Sequence, residues 1–158
     1  MIKAIRFAAF AMFVSGGAAQ ASAQAAQRAE ASPAALRAEV EALSAAMVAA
    51  FKRDPASVAK FYADEARIMG GGTRATGRAE IDKYWASITG ASDWKLEVIE
   101  VGGSTESPWV LGRSTLVGQG GRLMVVDFVG VLKRGADGSL KYHVDIYTSA
   151  PRGPTPPA

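Results

Sequence analysis

After Gly90 the spacing of apolar residues changes from a helical period to a strand-like one, and it stays strand-like almost to the end of the chain. Four segments rich in Val, Ile, Leu and aromatic residues follow, separated by Gly and Ser clusters: residues 94–101, 109–117, 122–133 and 140–148. A parallel doubly wound sheet would need helices between such strands, and none can be read there. The second half of the chain therefore predicts a run of long antiparallel strands.

The first half of the chain predicts three amphipathic helices. The first follows the capping pair Ser32-Pro33, runs to about Lys52, and has apolar residues at spacings of three and four: Leu36, Val40, Leu43, Met47 and Phe51. The second follows Asp54-Pro55 and has a short apolar face: Val58, Phe61 and Tyr62. A strand at residues 66–69 and a glycine turn at 70–72 lead to the third, which lies between Gly77 and Gly90 and has its own apolar face: Ile81, Tyr84, Trp85 and Ile88. Helices followed by antiparallel strands predict an α+β fold with the helices on one face of the sheet.

This order of elements resembles the nuclear transport factor 2-like superfamily, which includes ketosteroid isomerases and SnoaL-like proteins. Three segments carry the resemblance: FYADEARIM (61–69), GRAEIDKYW (77–85) and VGVLKRGADGSLKYHVDIYTSA (129–150). They are most similar to the group called domain of unknown function 4440. The resemblance covers about residues 36–150. It implies a homodimer in which three helices pack on a strongly curved, mostly antiparallel sheet, forming a cone with an apolar pocket at its mouth.

The first 23 residues predict a bacterial secretory signal peptide. Lys3 and Arg6 precede a short apolar run, residues 7–14, and small residues then allow cleavage after Ala23 or after Ala25. A helix that spans a bilayer needs about 20 apolar residues, so we expect no membrane association after cleavage. The alternative is an uncleaved anchor. Cleavage would place the protein in the periplasm or outside the cell.

The rest of the chain divides into three parts. Residues 24–33 are rich in Ala, Gln and Glu, contain no aromatic residue, and predict a linker. Residues 34–150 have the size of one SnoaL-like domain. Residues 151–158, PRGPTPPA, predict a disordered tail, because proline removes the backbone donors that helices and interior strands need.

Charge and composition exclude several classes of function. The chain has 18 Lys and Arg and 15 Asp and Glu, and the signal peptide removes two basic residues, which leaves 16 − 15 = +1. These charges are interspersed, so we expect no nucleic-acid partner. The glycine run fits no phosphate-binding motif. With no Cys and a single His, we expect no metal and no cofactor.

Candidate catalytic residues follow from the hairpin at residues 134–139. If residues 136–138 form a three-residue loop, Asp127 faces Tyr147, Asp145 faces Val129, and His143 also lies on that side. Asp127, His143, Asp145 and Tyr147 would then form one polar patch able to do acid/base work, since desolvation raises the pKa of an Asp. A two-residue loop would move Asp127 to the other face. The resemblance to ketosteroid isomerases suggests that the phenol or a protonated acid stabilises an enolate.

Other residues are candidates for binding a ligand. Arg113 could be the positive partner of the carboxylates, an arrangement similar to that of the epoxide hydrolases of this superfamily. Further candidates for the pocket are Phe61, Tyr62, Trp85 and Trp109. An alternative role for Trp85, Trp94 and Trp109 is as core or dimer contacts.

The sequence leaves two hypotheses about function. The first is an exported domain that binds a small apolar molecule, with or without an isomerase-like or hydrolase-like activity. The second is a non-catalytic dimerisation or assembly module whose cone is filled by side chains.

Overall fold

A computed structural model of the protein describes residues 32–149. The predicted signal peptide, its cleavage sites, nearly all of the linker and the proline-rich tail lie outside the described residues. Within residues 32–149, no helix is long and apolar enough to cross a membrane.

Three helical segments precede the long strands, as the sequence predicts. They are α1 (Pro33–Arg53), a 3-10 helix (Pro55–Phe61) and α2 (Arg78–Ala86). Ser32 Oγ accepts a hydrogen bond of 3.2 Å from the backbone N–H of Ala35 and so caps α1. Asp54 Oδ1 accepts a similar bond of 3.1 Å from Ala56 at the start of the 3-10 helix.

The sheet has six strands: β1 (Tyr62–Gly70), β2 (Thr73–Thr76), β3 (Asp93–Gly103), β4 (Pro108–Val117), β5 (Leu123–Arg134) and β6 (Leu140–Ser149). Their order is β2-β1-β6-β5-β4-β3. Neighbours are antiparallel except for β1 and β6, which are parallel. Helices on one mostly antiparallel sheet confirm the predicted α+β fold.

The structure corrects the prediction around the first strand. Tyr62 begins β1 and does not belong to the preceding helix, because it pairs with Tyr142 of β6 and the two rings pack at 5.4 Å. This long-range pairing outweighs the local helical spacing. The sequence also gave no sign of β2, which returns along β1 after a turn at Gly71 and Gly72, both with positive φ.

The core lies between the sheet and the helices. Buried residues of α1 face buried residues of the sheet: Val40, Met47 and Phe51 on the helix, and Trp94, Val110, Phe128 and Leu132 on the strands. Arg134 at the end of β5 makes a bidentate ion pair with Glu39 of α1, at 2.6 and 2.9 Å. This ion pair and the packing fix α1 against the strands.

A β-bulge in β6 changes the register of the last hairpin. Near the turn the pairing is as predicted, since Leu132 pairs with Tyr142. The next pair is Val131 with Val144, which leaves His143 as an extra residue without a cross-strand partner. Every later residue of β6 is therefore shifted by one position relative to β5.

The shift overturns the predicted polar patch. Asp127 pairs with Thr148 and not with Tyr147, which pairs instead with Phe128. Because a slip of one residue inverts the face on which a side chain lies, Asp127 and Asp145 are on opposite faces of the sheet. The loop had the predicted length, and the error came from the bulge.

Candidate functional site

A cavity of about 520 Å³ lies between the concave face of the sheet and the helices. Residues from α1, α2 and all six strands line it. Seven of them are aromatic: Tyr62, Tyr84, Trp85, Trp94, Phe128, Tyr142 and Tyr147. Asp145 is the one charged residue among those that line it within the described part of the chain. The cavity therefore combines an apolar, ring-rich interior with a single carboxyl group.

The bulge at His143 explains how one strand supplies three polar groups to the cavity. In a regular strand Tyr142 and Asp145, three positions apart, would point to opposite faces. The extra residue at His143 brings Asp145 back to the face of the sheet that carries Tyr142. Tyr142, Asp145 and Tyr147 therefore all line the cavity. Without the bulge, Asp145 and Tyr147 would pair with Val129 and Asp127, and both would lie on the opposite face of the sheet.

Asp145 accepts a hydrogen bond of 2.7 Å at Oδ2 from the hydroxyl of Tyr62. Burial raises the pKa of Asp145 from its ordinary value of 3.8 to about 6, and the hydrogen bond from Tyr62 opposes this rise in part. A carboxyl group with a pKa near 6 exchanges its proton close to neutral pH. Asp145 is thus suited to act as a general base and then as a general acid.

The phenols around Asp145 keep their protons. Burial, followed by the charge of Asp145, raises the pKa of both Tyr62 and Tyr142 well above the ordinary value of a tyrosine. The pKa of Tyr84 is also raised, first by burial and then by its hydrogen-bonded neighbour Tyr147. At neutral pH these hydroxyls are donors, so the cavity places neutral hydrogen-bond donors beside one carboxylate.

The aromatic rings form a continuous wall. The ring of Trp85 packs against Tyr62 at 6.0 Å, Tyr84 at 5.4 Å and Trp94 at 5.3 Å, measured between centroids. Trp94 is held by a hydrogen bond of 2.8 Å from its Nε1 to Ser114 Oγ. Aromatic pairs at these separations are stabilising, so the rings support one another before any ligand binds.

A glycine creates the space that one of these rings occupies. Gly130 of β5 is opposite Asp145, and a Cβ at that position would lie 2.4 Å from Cε1 of Tyr142 and 3.0 Å from Val110 Cγ1. The ring of Tyr142 therefore passes close to the backbone of Gly130, the residue that pairs with Asp145. Any larger residue there would push the ring away.

Two predicted site residues pair with each other outside the cavity. Arg113 of β4 makes a bidentate ion pair with Asp127 of β5, at 2.7 and 3.3 Å, and both side chains are about half exposed. The hydrogen bond from Arg113 lowers the pKa of Asp127, the opposite of what burial does to Asp145. This is an ordinary surface ion pair, so neither residue belongs to the cavity.

Three further candidates also lie elsewhere. Phe61 lines a separate groove beside α1, and the ring of Trp109 lies across Gly102 at the end of β3. His143, at the bulge, is not among the residues that line the cavity. Its Nδ1 lies 3.7 Å from Glu65 Oε1. Of the predicted site residues, the structure brings together Tyr62, Trp85, Asp145 and Tyr147.

Three residues that line the cavity were not predicted to do so from the sequence: Tyr84, Trp94 and Tyr142. Tyr84 shares a helix face with Trp85, and this spacing was a usable signal. Tyr142 was not recognised because a regular strand would put it on the opposite face from Asp145 and Tyr147. No cluster of three or more potential metal ligands occurs among residues 32–149.

Comparison with known protein families gives one match, the SnoaL-like domain, over residues 37–143. The chain belongs to the SnoaL-like domain family. The finer grouping under domain of unknown function 4440 stays a prediction. Among curated proteins, none matches this chain in sequence.

Solved structures with the same fold cover most of this SnoaL-like chain. A ketosteroid isomerase-like protein from Erwinia carotovora atroseptica is 24% identical, with a TM-score of 0.61 over 73% of this chain and 96% of that one. A protein of unknown function with a cystatin-like fold from Nostoc punctiforme is 13% identical, with a TM-score of 0.63 over 75% and 93%. ActVI-ORFA from Streptomyces coelicolor is 19% identical, with a TM-score of 0.56 over 72% and 97%. At these identities the similarity establishes the shared fold alone.

Proposed function

We propose that this SnoaL-like domain binds a small, mostly apolar molecule in the cavity and that Asp145 transfers a proton to and from it. The observation that carries the proposal is the position of Asp145, a single carboxyl group among phenols and apolar rings, with a pKa raised to about 6. Perturbed carboxyl groups in ring-lined cavities are typical of acid/base sites.

The chemistry best suited to this arrangement is proton transfer next to a carbonyl group. The carboxylate of Asp145 would take a proton from the carbon beside the carbonyl. Tyr84 and Tyr147 are hydrogen-bonded to each other, which leaves one of their two hydroxyl hydrogens free to donate a hydrogen bond to the enolate oxygen. The protonated Asp145 would then return the same proton to a different carbon, which isomerises the molecule and restores the carboxylate.

An isomerase-type reaction is better supported than a hydrolase-type one. Hydrolysis could use the same carboxylate to activate a water molecule, but the resemblance to epoxide hydrolases required an arginine beside it. Arg113 lies on the opposite face of the sheet and is paired with Asp127. The volume of about 520 Å³ falls within the range of ligand pockets, and this favours binding over a cone filled by side chains.

A screen of carbonyl compounds tests the proposal. The purified protein would be incubated with cyclic enones, unconjugated ketones and steroids. Binding would be followed by thermal shift, and proton exchange at the carbon beside the carbonyl by NMR in deuterated water. Binding with proton exchange is the expected result. If none of the compounds stabilises the protein, the proposed binding function is contradicted.

A second candidate function is assembly through the opposite face of the sheet. Leu111, Val129 and Ile146 are aligned across β4, β5 and β6, and the last two are 42% and 43% exposed. An aligned apolar row on an open sheet face fits contact with a second copy, and we propose a homodimer there. Sedimentation of the wild type and of Val129→Lys tests this, and a wild type that stays monomeric would contradict it.

We also propose that the protein is exported, from the pattern of residues 1–23. Amino-terminal sequencing of the protein from the periplasm or medium of its bacterial host should give Gln24 or Ala26 as the first residue. Recovery in the cytoplasm with Met1 intact would contradict export.

A further inference from the structure

We propose that the cavity is selective for organic cations: molecules with an apolar body and an ammonium group that sits between Asp145 and the surrounding rings. The inference uses the cavity of the proposed function but does not depend on the proton transfer. A cation held there would compete with a carbonyl substrate.

Asp145 lacks a counter-charge within the part of the chain that the structure describes. Among residues 32–149, no Lys, Arg or His forms an ion pair with Asp145, and its carboxyl group receives one side-chain hydrogen bond, from Tyr62. Buried charges in proteins are normally paired, because an unpaired one loses its hydration without compensation. In the free protein a proton can offset the charge of Asp145. A ligand that carries a positive charge would offset it as well.

Aromatic rings surround the carboxyl group of Asp145. Tyr62, whose hydroxyl contacts Asp145, packs against Trp85 at 6.0 Å and Tyr142 at 5.4 Å. Tyr62 and Tyr142 are themselves almost fully buried, so the rings left to contact a ligand are the other aromatic residues of the cavity, among them Tyr84, Trp85 and Tyr147. Ring faces attract ammonium groups within about 6 Å of their centroids, and rings together with one carboxylate are typical of sites for quaternary ammonium ions.

The same composition disfavours anions. No Lys, Arg or His is among the described residues that line the cavity, so an acidic ligand would meet the charge of Asp145 without a partner of its own. A neutral apolar ligand would use the rings but leave the carboxylate uncompensated. We therefore expect the affinity order cation, then neutral molecule, then anion.

Three probes of similar size test this order: benzyltrimethylammonium, its uncharged carbon isostere neopentylbenzene, and phenylacetate. Binding would be measured by the fluorescence of the cavity residues Trp85 and Trp94, and checked by NMR. At about pH 8 we expect the cation to bind at least about 10-fold more tightly than the isostere, and phenylacetate not to bind. In Asp145→Asn the affinities for the cation and the isostere should come within about threefold of each other.

A pH series on the wild type gives the same test without a variant. The charge of benzyltrimethylammonium does not change with pH. Among the described residues, the other titratable side chains that line the cavity are Tyr62, Tyr84, Tyr142 and Tyr147. Burial raises the pKa of Tyr62, Tyr84 and Tyr142, so these phenols stay neutral across this pH range. The preference for the cation should therefore fall as the pH drops from about 8 to about 5 and Asp145 takes up its proton.

The outcomes separate this inference from the proposed function. Equal affinity for the cation and the isostere at about pH 8, or a preference unaffected by pH, would overturn the inference. Selective cation binding without proton exchange on any carbonyl compound would leave it standing and would remove the catalytic proposal alone.

Discussion

The hydroxyl of Tyr62 donates a hydrogen bond of 2.7 Å to Asp145 Oδ2, although the two residues are 83 positions apart in the chain. Tyr62 begins the first strand and Asp145 lies in the last, and these two strands are parallel neighbours. A proton donor and a carboxylate are thus held on adjacent strands at one end of an aromatic cavity. The predictions below follow from this pair and from the packing that positions it.

Replacing Asp145 by Asn should abolish catalysis. Asparagine keeps the shape and can accept the hydrogen bond from Tyr62, but it cannot take a proton from carbon. Proton exchange on any carbonyl substrate found in the screen should fall by about 10²–10⁴-fold.

The matched control is Asp127→Asn. Asp127 is the other aspartate of this hairpin, but it lies on the opposite face, paired with Arg113. Proton exchange in this variant should equal that of the wild type. A loss as large as that of Asp145→Asn would mean that the bulge at His143 does not set the register in solution.

Folding stability should depend on pH through Asp145. Its pKa is raised from 3.8 to about 6 on folding, so the folded protein holds this proton more tightly than the unfolded chain does. The stabilisation is complete below about pH 4 and is lost as the pH rises through about 6. Relative to Asp145→Asn, the wild type should lose about 2–3 kcal/mol of unfolding free energy between about pH 4 and pH 7.

Urea unfolding of both proteins at a series of pH values measures this difference. Subtracting the variant removes the contributions of all other titrating groups. A difference that stays constant with pH, or one that grows in favour of the wild type as the pH rises, would contradict the raised pKa.

Removing the hydroxyl of Tyr62 should raise the pKa of Asp145 further. The hydrogen bond stabilises the ionised carboxylate, so Tyr62→Phe favours the protonated form. The acidic limb of the pH–rate profile should move to higher pH. In Tyr142→Phe, which loses a hydroxyl bonded to Ser44, the limb should move less. Equal shifts in the two variants would show that the bond from Tyr62 has no special effect.

Gly130→Ala should damage the site through Tyr142. The added methyl group would lie 2.4 Å from the Tyr142 ring. The ring would have to move away from its present place in the cavity, which it shares with Asp145. We expect a loss of about 1–3 kcal/mol in unfolding free energy and weaker ligand binding. In Gly118→Ala the nearest atom, the carbonyl oxygen of Arg122, is 3.5 Å away, and stability should change by less than about 0.5 kcal/mol. Similar effects in both variants would argue against a specific role for Gly130.

Much of the fold could be predicted because its signals are local. The alternating segments after Gly90 gave β3 to β6 to within a few residues, and the capping pair at Ser32-Pro33 gave the start of α1. Tyr62 was misplaced because its position follows from contacts with Tyr142, 80 residues later. Contacts between residues far apart in the chain do not change the local spacing of apolar residues.

The candidate site was predictable only in part. Tyr62, Trp85, Asp145 and Tyr147 were recognised as polar or aromatic residues near apolar strands. Asp127 was placed with them by assuming a regular hairpin. In the segment around His143 the apolar residues fall at every even position, Leu140 and Tyr142 before it and Val144 and Ile146 after it. This unbroken alternation is typical of a regular strand and gives no sign of the bulge, so only the pairing with β5 shows which face carries Asp145.

Asp145 lines the cavity, and the account requires its half-buried carboxyl group to hold its proton to near neutral pH. A ¹³C NMR titration of the aspartate carboxyl carbons, with the Asp145 signal assigned by its absence in Asp145→Asn, measures this directly. The structure predicts a midpoint of about 6 for Asp145. A midpoint close to the ordinary value of 3.8 would contradict the account.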